Sequence, residues 1–206
     1  PVPDGELVPD AAAADAAAAV AAAARIGYPV ALKAQSAGLA HKTEAGAVML
    51  GLADEPAVAG AAALITANLA AARPGLHVDG LLVERMCPAG TEMIVGVLRD
   101  QELGPAVIVG FGGIYAEILR DTVCLPAPMT ADQARQGIFE LRGAALLTGA
   151  RGQPPADLDA FADLIAAIGD LAAAHPEIAE LDLNPVLVGR PGRGAWIADA
   201  AGRLSD

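Results

Sequence analysis

Residues 27–48 read GYPVALKAQSAGLAHKTEAGAV and hold both lysines of the chain, Lys33 and Lys42, together with His41. The other eleven of the 13 basic residues are arginines. A compact ammonium on a flexible stem suits a phosphate oxygen at a strand end, and arginine does not replace it there. Within this stretch an apolar run at 29–34 predicts a strand closing on the VALK lysine. A polar loop follows, and a second strand is expected over 47–52. Two strands joined by a polar loop, with no crossover helix between them, depart from strict βαβ alternation. The fold class expected from this and the order of elements around it is α+β.

Upstream, residues 11–24 read as an alanine-rich helix with Asp10 at its N-terminus, Arg25 in its last turn and Gly27 beyond. Downstream, Asp54 and Pro56 open a helix over 55–72 that ends at Arg73-Pro74-Gly75. Strands are expected over 80–86, 91–98 and 105–109, and again over 114–120 after the break Gly110-Phe111-Gly112-Gly113. Helices follow from Thr130 to about Leu141, with Asp132 in the first turn, and over 157–174, stopping near His175-Pro176. Two last strands, 180–188 and 195–198, form a hairpin around Arg190 to Gly194.

The chain has 206 residues and a net charge of −12. That balance argues against a nucleic-acid or anionic-membrane surface, so an anionic ligand needs a local basic pocket. The 54% apolar content owes much to alanine, and the segment 11–24 is too short and too small-chained for a membrane span. Cys87 and Cys124 have no metal or redox spacing and are expected as buried thiols in a reducing cytosol.

Three groups of residues are candidates for chemistry. His41, Lys42, Thr43, Glu44 and Gly46 make a polar loop of the kind whose backbone N–H groups wrap phosphate, although no P-loop spacing is present. A histidine there can act as a covalent nucleophile. Asp182 and Asn184 stand two residues apart in ELDLNP, on one face of a strand, with Asp199 on the paired closing strand. Such hard oxygen donors suit Mg²⁺. Glu84 and Glu92 interrupt apolar strands and read equally well as edge-strand charges. Arg120 and Asp121 read as a surface pair, and Glu117 as solvated.

Taken in order, the segments PVPDGELV, IGYPVALK, HKTEAGAV, VDGLLVERM, GTEMIVGVLRDQELGPAVIVGFGGIYAEILRD, LLTGARGQPPADLDAF and PEIAELDLNPVLV resemble the ATP-grasp domain of ADP-forming acyl-CoA (acetyl-CoA) synthetases. The more distant succinyl-CoA synthetase β subunits are related. The resemblance implies an ATP-grasp fold over 1–206, with lobe 1 at about 1–83, lobe 2 at about 84–206 and nucleotide between them, as part of a longer multidomain synthetase. It implies that Lys33, Lys42 and Gly46 contact phosphate, that Glu84 and Met86 lie on a hinge strand against the base, and that Glu92 contacts the nucleotide from the second lobe. By the same likeness Asp182, Asn184 and Asp199 hold Mg²⁺, and His41 carries a phosphoryl group, with Asp182 as its catalytic companion. ATP/ADP and Mg²⁺ are the implied cofactors, with CoA bound by a partner module. The implied setting is cytoplasmic and oligomeric, without nucleic acid or membrane.

Two departures stand out. Ala47 follows Gly46 where the resembling loops usually carry paired glycines. The resembling domains also start roughly twenty residues earlier, about one helix and a loop, and the expectation from this likeness is a domain of a larger fused synthetase. Two other readings remain open on the sequence: a regulatory or degenerate module of a protein lysine acetyltransferase, and a carboxylate ligase that works without phosphohistidine.

Overall fold

Val58, Ala61, Ala62, Ile65 and Leu69, at helical spacing, form the buried stripe that seats helix α2 (Glu55–Ala72) on a sheet. This is seen in a computed structural model that describes residues 1–9, 16–39, 42, 45–100, 102–113, 121–152 and 154–205. Asp54 accepts the Ala57 N–H at 2.9 Å and Pro56 sits in the first turn, so α2 starts where its sequence signals place it. By length and composition α2 is apolar enough to cross a membrane, but its large apolar side chains other than Leu64 are turned into the protein core.

The chain divides into two compact units, Pro3–Met86 and Pro1–Val2 with Cys87–Asp206. In the first, β1 (Gly5–Pro9), β2 (Val30–Gln35), β3 (Val48–Leu52) and β4 (Gly80–Arg85) form an antiparallel sheet in the order β1-β4-β2-β3. Helix α1 (Ala16–Ile26) lies beside α2 and buries Ala19, Ala22 and Ala23, whose small side chains permit close approach. Gly27 (φ 92°) closes α1 by donating its N–H to the Ala23 carbonyl at 2.8 Å. The helix thus ends as expected, with Arg25 in its last turn and Gly27 just beyond, and Asp10 lies outside the described residues. Strand β2 continues beyond Lys33 to Gln35. Lys33 is therefore mid-strand and not at its end.

The second unit is built on β5 (Thr91–Asp100), β6 (Gly104–Phe111), β7 (Thr122–Pro126), β8 (Ile178–Val188), β9 (Ala195–Ile197) and β10 (Ala200–Leu204). Its antiparallel order is β10-β8-β5-β6-β7, with β9 also on β8. Helices α3 (Ala131–Phe139), α4 (Ala144–Leu147) and α5 (Leu158–Ala174) belong to the same unit, and α3 and α5 pack on each other over one core that includes Met93, Val95, Phe111, Ile138, Phe161 and Ile165. Thr130 caps α3 in a reciprocal box with Gln133. Arg99 of β5 donates to the carbonyls of Ala172, His175 and Ile178, satisfying the end of α5 and the start of β8.

Three strands were not expected from the sequence: β1, β7 and β10. All three lie at sheet edges. The expected burial of the thiols is also corrected. Cys87 is half-buried, and Cys124 is exposed because β7 is an edge strand with one face turned outward.

Asp157 caps α5 through the Ala160 N–H at 3.3 Å and also accepts the Gly194 N–H at 2.9 Å, tying the 190–194 turn to the helix. These backbone donors, Gly194 first, hold its carboxyl below the usual carboxylate range. A depressed pKa adds stability above the unfolded carboxyl value, near 3.9, and that stability is lost as pH falls through the folded value. Asp157→Ala is expected to cost ~2 kcal/mol in urea unfolding at pH 7. The penalty should shrink at acid pH, and a pH-independent difference would refute the assignment.

Candidate functional site

Among the described residues only three charged side chains are buried: Lys33, Lys42 and Asp121. Lysine is almost never fully buried unless its charge is paired. Here both lysines of the chain are buried, at 6% and 9% exposure, in the unit Pro3–Met86.

The register places Lys33 opposite Leu82, and Glu84 two residues further along β4, opposite Ala31. Side chains on such a diagonal share a face and can meet. The Glu84 carboxylate lies 2.5 Å from the Lys33 ammonium, with the two side chains 12% and 8% exposed. Both β2 and β4 are inner strands, so the edge-charge reading of Glu84 does not hold. A buried ion pair is a weak source of stability, since an apolar pair of similar volume would serve as well.

Met86 follows β4. Its N–H donates to the Pro29 carbonyl at 3.3 Å, and its sulfur accepts the Gly51 N–H at 3.4 Å. Lys42 accepts the Ala47 N–H at its carbonyl (2.9 Å), and the Ala47 carbonyl accepts the Ala34 N–H (2.9 Å), next to Lys33 in sequence. Gly46 has φ +62°, which its missing side chain permits. The Ala47 methyl is wholly buried in the core of this unit. His41, Thr43 and Glu44 lie outside the described residues, as do Glu117 and Arg120.

In the larger unit, Asp182 and Asn184 flank the buried Leu183 on β8, and both are exposed. Asp182 pairs with Gly96 on one side and Ala201 on the other. Neither carries a side chain beyond Cβ, and a methyl at Gly96 would find its nearest atom 3.5 Å away. The β5–β8 register shifts at this point: Met93 faces Val186 and Val95 faces Leu183, so Ile94 alone opposes Asn184 and Pro185. Such a bulge is where an inner strand tolerates proline, and it re-aims the neighbouring side chain.

Asp199 is not on a closing strand as expected. It falls in the two-residue break between β9 and β10, where its carbonyl accepts the Asn184 N–H at 3.1 Å. No three His, Cys, Asp or Glu side chains converge as a metal cage among the described residues. Two carboxylates and an amide around one bulge fit a sparser requirement, that of Mg²⁺, which keeps water and phosphate as its other ligands.

Glu92, on inner strand β5, borders a cleft of ~690 Å³ in the same unit. Gly112, Gly113, Arg190 and Pro154 also line it. Gly112 donates its N–H to the Glu92 carbonyl at 2.8 Å, and a side chain at Gly113 (φ +57°) would collide with the Glu92 carboxylate. Sequence reasoning missed this cleft, because its walls come from widely separated stretches. The adjacent glycines were the available signal. Asp121 does not stand as half of a surface pair: its buried carboxylate accepts the N–H groups of Arg142 (3.0 Å) and Gly143 (2.8 Å).

A family model described as the ATP-grasp domain matches residues 6–204. The chain is 46% identical over 192 residues to a trans-feruloyl-CoA synthase from an unknown prokaryotic organism, covering 93% of this chain and 27% of that protein. It is 40% identical over 161 residues to the β subunit of an ADP-forming acetate–CoA ligase of Pyrococcus furiosus, covering 78% of this chain and 69% of the subunit. The chain thus spans about a quarter of the first of these relatives and over two thirds of the second. Among solved structures, an acetyl-coenzyme A synthetase of Ca. Korarchaeum cryptofilum in complex with coenzyme A and Ca-AMPCP superposes with a TM-score of 0.92 at 35% identity, over 100% of this chain and 86% of that one. The same enzyme has been solved with Mg-AMPPCP and a phosphohistidine segment pointing towards the nucleotide-binding site (TM-score 0.81, 34% identity, 100% and 85% covered).

Proposed function

Because the chain belongs to the ATP-grasp domain family, we propose that it is the nucleotide-binding, phosphoryl-transfer part of an ADP-forming acyl-CoA synthetase. The observation that carries this reading is the burial of both lysines, with Lys33 locked against Glu84. A fixed, desolvated ammonium is what a phosphoryl-transfer site needs, since positioning and electrostatics supply most of the catalysis.

In this reading Lys33 and Lys42 meet phosphate oxygens, Gly46 gives the loop its turn, and Glu84, Met86 and Glu92 bound the rest of the nucleotide. Asp182, Asn184 and Asp199 would hold Mg²⁺, which offsets the charge on the transferring phosphoryl group. A neutral imidazole nitrogen of His41 attacks the γ-phosphorus, histidine being able to act as a covalent nucleophile. The bond to the bridging oxygen breaks, ADP leaves with its electron pair, and phosphohistidine remains. The phosphoryl group then passes to a carboxylate on a CoA-binding module in the same protein or a partner subunit. CoA thiolate finally displaces phosphate from the acyl phosphate. The net reaction is acid, CoA and ATP to acyl-CoA, ADP and phosphate, in the cytoplasm. The relatives are named for ferulate, acetate and 4-hydroxybutyrate, and in this reading the acyl group is selected on the CoA-binding module.

The test is ATP radiolabelled at the γ-phosphate, given to the full-length protein. An acid-labile, alkali-stable label on His41, absent from His41→Asn, is expected. Acyl-CoA synthesis with ADP release and no such label would overturn the phosphohistidine route.

A further inference from the structure

Asparagine in a helix interior is disfavoured relative to alanine, and Asn68 sits in the last turns of an α2 that is otherwise rich in alanine. Its side chain is not spent on its own helix. The amide Nδ2 donates to the Gly46 carbonyl at 3.0 Å, 22 residues away, in a partly buried setting. Gly46 has φ +62°, and a Cβ there would lie 2.5 Å from the same Nδ2. The amide and the glycine thus need each other: the amide fills the space a side chain would take, and the turned backbone presents the carbonyl to it.

The contact is one link of a series. Ala47, next to Gly46, donates to the Lys42 carbonyl and accepts from Ala34, which follows Lys33 on β2. Anchoring Gly46 from α2 therefore fixes the backbone at Lys42 relative to the strand that carries Lys33. We infer that Asn68 is a positioning residue that clamps the Lys42 turn in the shape that presents its ammonium to phosphate. The purpose of the clamp rests on the nucleotide reading above, but its geometry does not.

The two-lysine composition supplies a direct test. A protease that cuts only after lysine has two sites in the chain, and cleavage at Lys42 leaves fragments of 42 and 164 residues. Losing one anchoring hydrogen bond should raise the open population of the turn about fivefold to tenfold. Where cleavage is slow relative to reclosing, the rate follows that population. Asn68→Ala and the similarly shaped Asn68→Leu are both expected to speed cleavage at Lys42 by that factor. Their melting midpoints should stay within about 2 °C of the parent, because both substitutions raise helix propensity.

Equal cleavage rates in parent and variants would overturn the clamp, whatever the nucleotide does. Faster cleavage with a large fall in melting midpoint in both variants would overturn it too, by showing a general loss of structure. Saturating MgATP should slow cleavage at Lys42 in the parent and protect the variants less. Faster cleavage in the variants with no protection of the parent by MgATP would leave the clamp standing and refute the phosphate role of Lys42.

Discussion

Lys33→Met is expected to abolish detectable MgATP binding and to destabilise the chain by ~3 kcal/mol. The second effect follows from burial: removing the ammonium leaves the Glu84 carboxylate, 12% exposed, without its partner at 2.5 Å. Breaking a buried pair costs about 3–5 kcal/mol, whereas replacing both partners with apolar residues is often neutral. For a chain of this size, ~3 kcal/mol corresponds to a fall of roughly 6–12 °C in melting midpoint. Lys33→Met combined with Glu84→Leu should therefore recover most of the lost stability and none of the binding. Differential scanning calorimetry of the two variants, beside a MgATP titration of each, separates the structural role from the functional one. Recovery of binding in the double variant would show that Lys33 is not a phosphate ligand.

Asp182→Ala is expected to act in the opposite manner, with a large functional effect and a small structural one. Asp182 is exposed on β8 between Gly96 and Ala201, and exposed substitutions usually change stability by less than about 0.5 kcal/mol. The charge stabilisation supplied through a bound Mg²⁺ is worth several kcal/mol. Losing ~4 kcal/mol of it lowers the rate about 10³-fold. In the full-length protein, ADP-forming acyl-CoA synthesis should fall by that factor, and the Mg²⁺ concentration for half-maximal rate should rise. Retained activity with an unchanged Mg²⁺ midpoint would refute the metal role of the bulge on β8.

Much of this fold was legible because the strong signals are local. Asp54 and Pro56 mark the start of α2, Thr130 that of α3, and the alternation in β5 announces a strand with one buried face. The strands that escaped notice are GELVP, TVCLP and AAGRL. GELVP and AAGRL have little β-propensity and TVCLP is short and ends in proline, and they are strands because a neighbour offers a free edge to pair with. Only tertiary context holds that information.

The site divides in the same way. Lys33, Asp182 and Asn184 were recognisable as residue types in a pattern, and the segments around them resemble a known family over nearly the whole chain. The partnership of Lys33 with Glu84 was not, because it depends on the register between strands 51 residues apart in sequence. Nor was the bulge, although a proline inside the β8 run was its trace. The clamp from Asn68 to Gly46 links a helix to a loop and leaves no periodic mark. Asp199 was placed on the closing strand expected over 195–198, but β9 ends at Ile197 and β10 begins at Ala200, each paired with a different part of β8.

The central claim is that this chain binds nucleotide through its buried lysine and a divalent cation. Calorimetric titration with ATP, with and without Mg²⁺, tests it most directly. Binding that requires Mg²⁺ and disappears in the Lys33→Met, Glu84→Leu double variant, whose fold the melting scan verifies, is the predicted result. Binding by that double variant equal to the parent's, or parent binding indifferent to Mg²⁺, would contradict the account.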